Sequence, residues 1–367
     1  MSEFQYFAFR SLDRALSDED RKALREISSR ATIDTRQFVN TYDYGDFRGD
    51  PDRMIDRWFD LFLYFADWGA RRICVKLPRW AVAGDDLAGL EALEEAGGVV
   101  TVREADGVVI ADCWLDNDAG GDWSDEEDLD AAVNALEALR QGALEGDRGL
   151  FQLMWLIAAE WCEDTVPEPW PVASRLGKEI GILAGIFDVD PDLAAVGAPP
   201  PAEPGAAWTP DDVRAAIARL PEDERLDLLM RAFEGDQTIG GELRRRLRPP
   251  MERLAARPRT VADLHALADA RREAREQAEA ARRAAERRRR ISVTAARGDR
   301  NWDDLEALIA ERKPAGYDEA VERLTHLREL AADNGTEPEF RTQLKALQER
   351  HRTKPALMER LAKAKLL

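Results

Sequence analysis

The chain has 367 residues, of which 44% are hydrophobic, including ten Trp and twelve Phe, and 34% are charged. So many large apolar residues exclude a disordered chain, and the length exceeds one ordinary core, so two main folded units with well-solvated exteriors are expected. The net charge of −19 is uneven: residues 1–240 carry about −27, 241–300 about +9 and the rest about −1, which confines any contact with polyanions to the basic stretch.

Gln5–Arg10 reads as a short strand. Ser17 before Asp18-Glu19-Asp20 places a hydroxyl cap and negative charge at a helix start, with Leu24, Ile27 and Ala31 as its apolar stripe. Residues 32–42 look extended. Asp50-Pro51-Asp52 opens a second helix, and Trp58, Phe59, Phe62 and Trp68 predict that it continues to Gly69 as a central packing helix. Residues 72–77 suit a buried strand and 86–95 a short helix; then Val99–Val102 and Val108–Ala111 flank Asp106-Gly107, a hairpin signal. This order predicts an α+β domain over residues 1–118, a mixed sheet with helices on one face.

Helical signals follow. Ser124-Asp125-Glu126-Glu127 forms a capping box for a helix to Gln141, Leu150–Cys162 is apolar enough to be buried, and after Pro167, Pro169 and Pro171 a third helix runs to Phe187. Residues 119–196 are therefore expected as a helical extension packed on the sheet. The Pro-rich stretch 197–207 reads as a stiff linker. Beyond it, residues 208–300 form an all-α segment, with helix starts at Thr209-Pro210 and Pro221 and one long Ala/Arg/Glu helix over 260–295. In 301–367, four apolar sets led by Trp302, Val321, Phe340 and Leu357 predict a helical-repeat-like bundle.

Several chemistries are missing. There is no GxxxxGK[ST] loop, strand-linked GxGxxG or GxSxG elbow. Cys74, Cys113 and Cys162 stand singly, as packed thiols do, and His265, His326 and His351 all lie in the last third, leaving the α+β part without an imidazole for triad or metal chemistry. No cofactor is expected.

Three constellations remain. Tyr42, Asp43, Tyr44, Asp46, Arg48 and Asp50 gather carboxylates and phenols on one glycine-containing loop, which suits a small-molecule, metal or peptide site; the simpler reading is turn, cap and packing. Arg71, Arg72, Lys76 and Arg79 form either a cationic rim near it or a strand face turned to water. The acidic run 112–130 lacks the spacing of a calcium loop and reads as solvated surface. The long basic helix carries nine Arg against four Glu between Arg271 and Arg290, with Ala270, Ala274, Ala278, Ala281 and Ala285 in a stripe. Arg282, Arg283, Arg287, Arg288, Arg289 and Arg290 are its candidate interaction residues. It reads as a solvated helix, as one that pairs with a partner helix or the acidic part of the chain, or as a nucleic-acid contact over 243–300 weakened by the interleaved Glu.

The strings Tyr6–Arg14, Phe38–Tyr42 and Gly45–Pro51 resemble a family of uncharacterised bacterial proteins, a likeness that extends through Gly146-Asp147-Arg148 and Pro167–Pro171 and implies no activity. The last 50 or so residues, including Tyr317, Leu324, Phe340, Leu344, His351 and Leu361, are also similar to the helical tail of bacterial SWIM zinc-finger proteins. The CxC and CxH ligand pairs of that finger are missing here, so the resemblance implies neither metal nor DNA binding.

The expectation is a cytoplasmic, non-enzymatic interaction or scaffold protein with a partner protein or a second copy of itself and no membrane contact. The alternatives are a nucleic-acid-associated accessory protein using the Arg-rich helix and an enzyme with a carboxylate site near residues 42–52.

Overall fold

The computed structural model describes residues 4–45, 47–116, 126–170, 174–198, 209–247, 258–298 and 300–367. They fall into two compact units, Met1–Arg271 and Arg272–Leu367. Asp46, residues 117–125 with the Ser124-Asp125 half of the expected capping box, and residues 199–207 of the expected linker lie outside the described residues.

The first unit is built on seven strands: β1 (Gln5–Arg10), β2 (Thr32–Ile33), β3 (Gln37–Tyr42), β4 (Leu61–Ala66), β5 (Ala70–Pro78), β6 (Val100–Ala105) and β7 (Val108–Asp116). Helices α1 (Asp18–Ile27), α2 (Pro51–Arg57) and α3 (Gly84–Gly97) interrupt them. The sheet order is β2-β3-β1-β4-β5-β7-β6, with every pairing antiparallel. The α+β class holds, but the sheet is not mixed. The connections through α2 and α3 do leave β4 running parallel to β3 and β6 to β5; in each case an oppositely directed strand, β1 or β7, lies between the two and takes both ladders.

The largest departure from the sequence reading is at residues 58–69. The predicted helix stops after Arg57, and Leu61–Ala66 is the central strand β4. Its continuous apolar run has no period to distinguish a buried strand from a buried helix. Alternation appears only once the strand is placed: Leu61, Leu63 and Phe65 enter one core, Phe62, Tyr64 and Ala66 the other. Helices therefore cover both faces of the sheet, not one. On one face lie α3, α4 (Glu126–Leu144), α5 (Gly149–Ala159), α6 (Gly177–Ile186) and α7 (Pro191–Gly197), with every residue of α5 buried. On the other, α1 and α2 contribute Leu24, Met54 and Ile55 to an aromatic core in which Phe9 stacks on Phe62 with ring centroids 4.2 Å apart. At the β6–β7 turn, Asp106 and Gly107 both adopt positive φ, 51° and 77°, as a tight two-residue hairpin requires.

The helical arm of the first unit comprises α8 (Pro210–Arg219), α9 (Glu222–Phe233), α10 (Ile239–Leu247) and the start of α11 (Val261–Arg297), whose Val261, Leu264 and Ala268 join the larger core. The second unit contains the rest of α11 with α12 (Arg300–Ala310), α13 (Pro314–Asn334), α14 (Glu337–His351) and α15 (Pro355–Lys363), closed around Leu305, Leu324, Leu347, Leu357 and Leu361. Among the described residues no helix is long and apolar enough to cross a membrane.

Helix α1 is fixed by the expected capping box: Ser17 Oγ accepts from the Asp20 amide at 3.1 Å while the Asp20 carboxylate accepts from the Ser17 amide at 3.0 Å. Asp20 also accepts from the Trp58 indole at 2.9 Å and from Arg14 at 3.0 Å. Partial burial works against its charge, but the bonds from Arg14, Ser17 and Trp58 outweigh burial and hold its carboxyl down at about 2. A carboxyl depressed in the folded state stabilises the fold above its unfolded value and loses that contribution as pH falls through the folded one. Asp20→Ala is therefore expected to cost about 1–2 kcal/mol at neutral pH. In urea titrations the difference from the parent should shrink as pH falls from near 3.8 towards about 2; a pH-independent difference would contradict the assignment.

Candidate functional site

The loop after β3 does not assemble its described members into one site. Tyr42 is half-buried and packs edge-on against Phe7, centroids 5.9 Å apart. Asp50 caps α2, accepting from the Arg53 amide at 3.1 Å. Asp43, Tyr44 and Arg48 are exposed. Among the described residues, no group of three or more His, Cys, Asp and Glu could hold a metal ion.

The four cations of β5 and its end are neither a rim nor a solvated face. Arg71 is buried, donating from Nε to Ile186 O at 3.0 Å and, through Nη1, to Ala70 O at 3.1 Å and to Ala66 O, with its guanidinium 3.9 Å from the Phe65 ring centre. Burial pulls its pKa down, against the pull of Asp188. Arg72 pairs with Asp112 and Asp52, Lys76 reaches Ile55 O at 2.7 Å, and Arg79 pairs with Glu104 at 3.2 Å. Charged residues inside an apolar strand are here internal fasteners, because each finds a carbonyl or carboxylate within reach.

A second set of internal ionisable groups gathers where β1, β4, β5 and α4 meet. Arg140 is buried; it donates from Nη2 to Asp13 at 2.7 Å and from Nε to Lys76 O at 2.8 Å. Asp60, also buried, accepts from the amides of Leu12 and Asp13 at 2.7 and 2.9 Å, and Lys76 Nζ stands 3.8 Å from it. Burial pushes the Asp13 carboxyl up against the Arg140 charge, and burial draws the Lys76 ammonium down. A cleft of about 470 Å³ opens beside Asp13 and Arg140, bordered by Asn134, Glu137 and Gln237. Perturbed groups next to a cleft are the usual mark of a reactive site. In this cluster, however, two acids and two bases are bonded to one another and to main chain, an arrangement that suits a latch. The signal was present in sequence as lone charges inside apolar runs, Asp60 between Phe59 and Leu61 and Arg140 after Leu139.

The motif-like strings in the helical layer are also fasteners. Asp147 accepts from Ser174 Oγ at 2.7 Å and from the Gly149 amide at 2.8 Å, and Glu168 forms a two-bond pair with Arg259 at 2.8 Å.

On α11, Arg283 pairs with Glu279 at 3.4 Å, and Arg287 with Asp333 at 3.0 Å and Glu329 at 3.7 Å. Arg289 and Arg290 line a cleft of about 430 Å³ in the second unit with Arg297, Arg323, Glu319 and Glu322. Arg282 and Arg288 are exposed, and so is every residue from Glu273 to Arg290.

One feature escaped the sequence reading altogether. Helix α9 turns Glu224 and Arg231 inward beside the buried Leu228 and leaves an apolar stripe outward. Its inner side is held by charge: Arg231 pairs with Asp236 at 2.8 Å and with the buried Glu242 at 2.8 Å, and Glu224 pairs with Arg246 at 2.6 Å. Burial opposes the Asp236 charge, but bonds from Thr238 and Arg231 outweigh it and hold the carboxyl low. The outer side carries Leu226, Leu229, Met230 and Phe233, exposed by 63%, 67%, 52% and 88%. Their i, i+3, i+4, i+7 spacing makes one continuous stripe. The pattern LDLLMRAF was legible as amphipathic; which side would face the body was not.

If the Asp13–Arg140 cluster is a latch, Arg140→Met should destabilise the first unit by about 2–4 kcal/mol by leaving carboxylates without their cation. Adding Asp13→Asn should recover part of that loss, because the two changes act on one interaction. Urea titrations of the four proteins of the cycle test this, and strict additivity would contradict it.

Compared with known proteins, the chain matches no family model, no curated protein and no solved structure.

Proposed function

We propose that the protein is a non-enzymatic interaction protein, a rigid α+β body and a helical bundle that present surfaces to other protein chains. The observation that carries this reading is the outward apolar stripe of α9, Leu226 to Phe233. Four large apolar side chains aligned on one helix face are costly to leave in water, at roughly 1.5–3 kcal/mol of unrealised burial each, and such contiguous patches mark association surfaces. The ionisable groups beside the cleft support the same reading, since Asp13, Asp60, Lys76 and Arg140 are engaged with one another. A photo-crosslinking residue placed at position 229 in the native host should give one discrete protein adduct, lost on adding Phe233→Ser. A chain that yields no adduct, or a smear indifferent to Phe233, would contradict the proposal.

A second reading, association with nucleic acid through α11, is favoured by one specific observation: the exposure of every residue from Glu273 to Arg290 together with the cleft edged by Arg289, Arg290, Arg297 and Arg323. Glu286, Glu319 and Glu322 edge the same cleft and weaken it. On this reading the full chain binds single-stranded RNA at low salt, and replacing Arg287 to Arg290 by Gln removes binding and its salt dependence. Failure to bind RNA and duplex DNA at low salt would exclude it.

A further inference from the structure

Resting on the interaction reading, we propose that α9 docks onto the exposed segment of α11 in a second copy of the same chain, so that the protein associates with itself through an acidic, bulky helix and a basic, small-residue helix.

Three observations converge on that occupant. The first is shape. The α9 stripe repeats with the 3- and 4-residue spacing of a helix-packing seam, and its Leu, Met and Phe side chains project into solvent. Ala274, Ala278, Ala281 and Ala285 repeat at spacings of 4, 3 and 4 on α11 and are all exposed. Bulky residues on one helix and Ala on the other let two helices approach closely with large side chains seated between small ones.

The second is charge. At 100° per residue, Asp223, Asp227 and Glu234 fall along one side of the α9 stripe, Asp227 also meeting Arg231 at 3.8 Å, and Arg282 and Arg289 fall along one side of the α11 stripe. One rim is acidic and the other basic. Two α9 helices would set acid against acid, and two α11 segments Arg against Arg, so complementarity selects the unlike pair. An apolar partner without cations would leave the α9 acids unanswered.

The third is availability. From Glu273 to Arg290 no residue of α11 is buried, although the helix is 37 residues long and continuous. The end of that segment is tied to α13 through Arg287, which pairs with Asp333 and Glu329, while the Ala stripe stays uncovered. Reciprocal pairing of two copies closes a dimer with two such contacts, whereas one-way pairing propagates a longer assembly. Both are self-association through the same helices.

Sedimentation velocity of the purified full chain tests this. At tens-of-micromolar concentration and low salt the chain is expected to sediment as a dimer or larger species, with association weakened about tenfold or more at high salt. Leu229→Ser with Phe233→Ser, both exposed positions, should give a monomer with an unchanged far-ultraviolet circular dichroism spectrum. Arg282→Glu with Arg289→Glu should do the same. Mixing the second variant with a chain carrying Asp223→Arg and Asp227→Arg, itself impaired in self-association, should restore a mixed complex, because unlike rims then face each other again. A monomer under all conditions overturns the proposal, and so does an oligomer indifferent to both sets of substitutions. If the purified chain is monomeric while crosslinking at position 229 in the host captures a different protein, the second-copy inference fails and the interaction reading stands. If crosslinking also yields nothing, both fail.

Discussion

The fold depends on the burial of β4 from both sides. Leu61 to Ala66 are all buried, alternating between two cores, so a single helical layer would leave half of them in water. Everything else in the first unit follows from supplying two covers. The heavier one is the α3–α7 layer, with α5 wholly enclosed; the lighter is the pair α1 and α2, tied down by the Ser17–Asp20 capping box and the Trp58 indole. The same constraint explains the internal charges. A sheet sealed on both faces has few places for Arg71, Arg140, Asp60 and Lys76 to reach water, so the three cations donate to carbonyls and Asp60 accepts from main-chain amides.

Much of this was legible from local chemistry. Caps and turns act over three or four residues, which is why Ser17, Asp50 and Asp106-Gly107 place two helix starts and a hairpin where the structure has them. The C-terminal helices were legible for a related reason: Leu305, Leu324, Leu347 and Leu361 each sit in a clean amphipathic pattern with one partner side. What failed were inferences that needed the third dimension. The run Trp58 to Gly69 looks the same as a buried helix or a buried strand, and only pairing with β1 and β5 decides it. The positions of Arg71 and Arg72 on opposite faces of β5 follow from strand parity, but their burial depends on which helices lie above them.

The candidate surface shows the same limit more sharply. Nine Arg between Arg271 and Arg290 make α11 conspicuous in sequence. The more unusual arrangement is on α9, where Arg231 and Glu224 lie inward beside the buried Leu228 while Leu226, Leu229, Met230 and Phe233 lie outward. Amphipathic pattern fixes that a helix has two sides; the neighbours decide which side is inner. Here the neighbours are Asp236, Glu242 and Arg246, a charged seat that holds Glu224 and Arg231 and leaves the apolar stripe exposed. In the proposed self-association, the acidic rim of α9 and the basic rim of α11 would act as selectivity elements, with burial of the α9 stripe as the driving force.

The outward orientation of the α9 stripe is the claim on which the functional account stands, and hydroxyl-radical footprinting of the dilute full chain tests it most directly. Once each rate is normalised to the intrinsic reactivity of its side-chain type, Phe233, Met230 and Leu229 should be as accessible as the exposed Tyr44, with the buried Leu228 protected. Strong protection of Phe233 and Leu229 in dilute solution would mean that the stripe faces its own chain, and the account would be wrong.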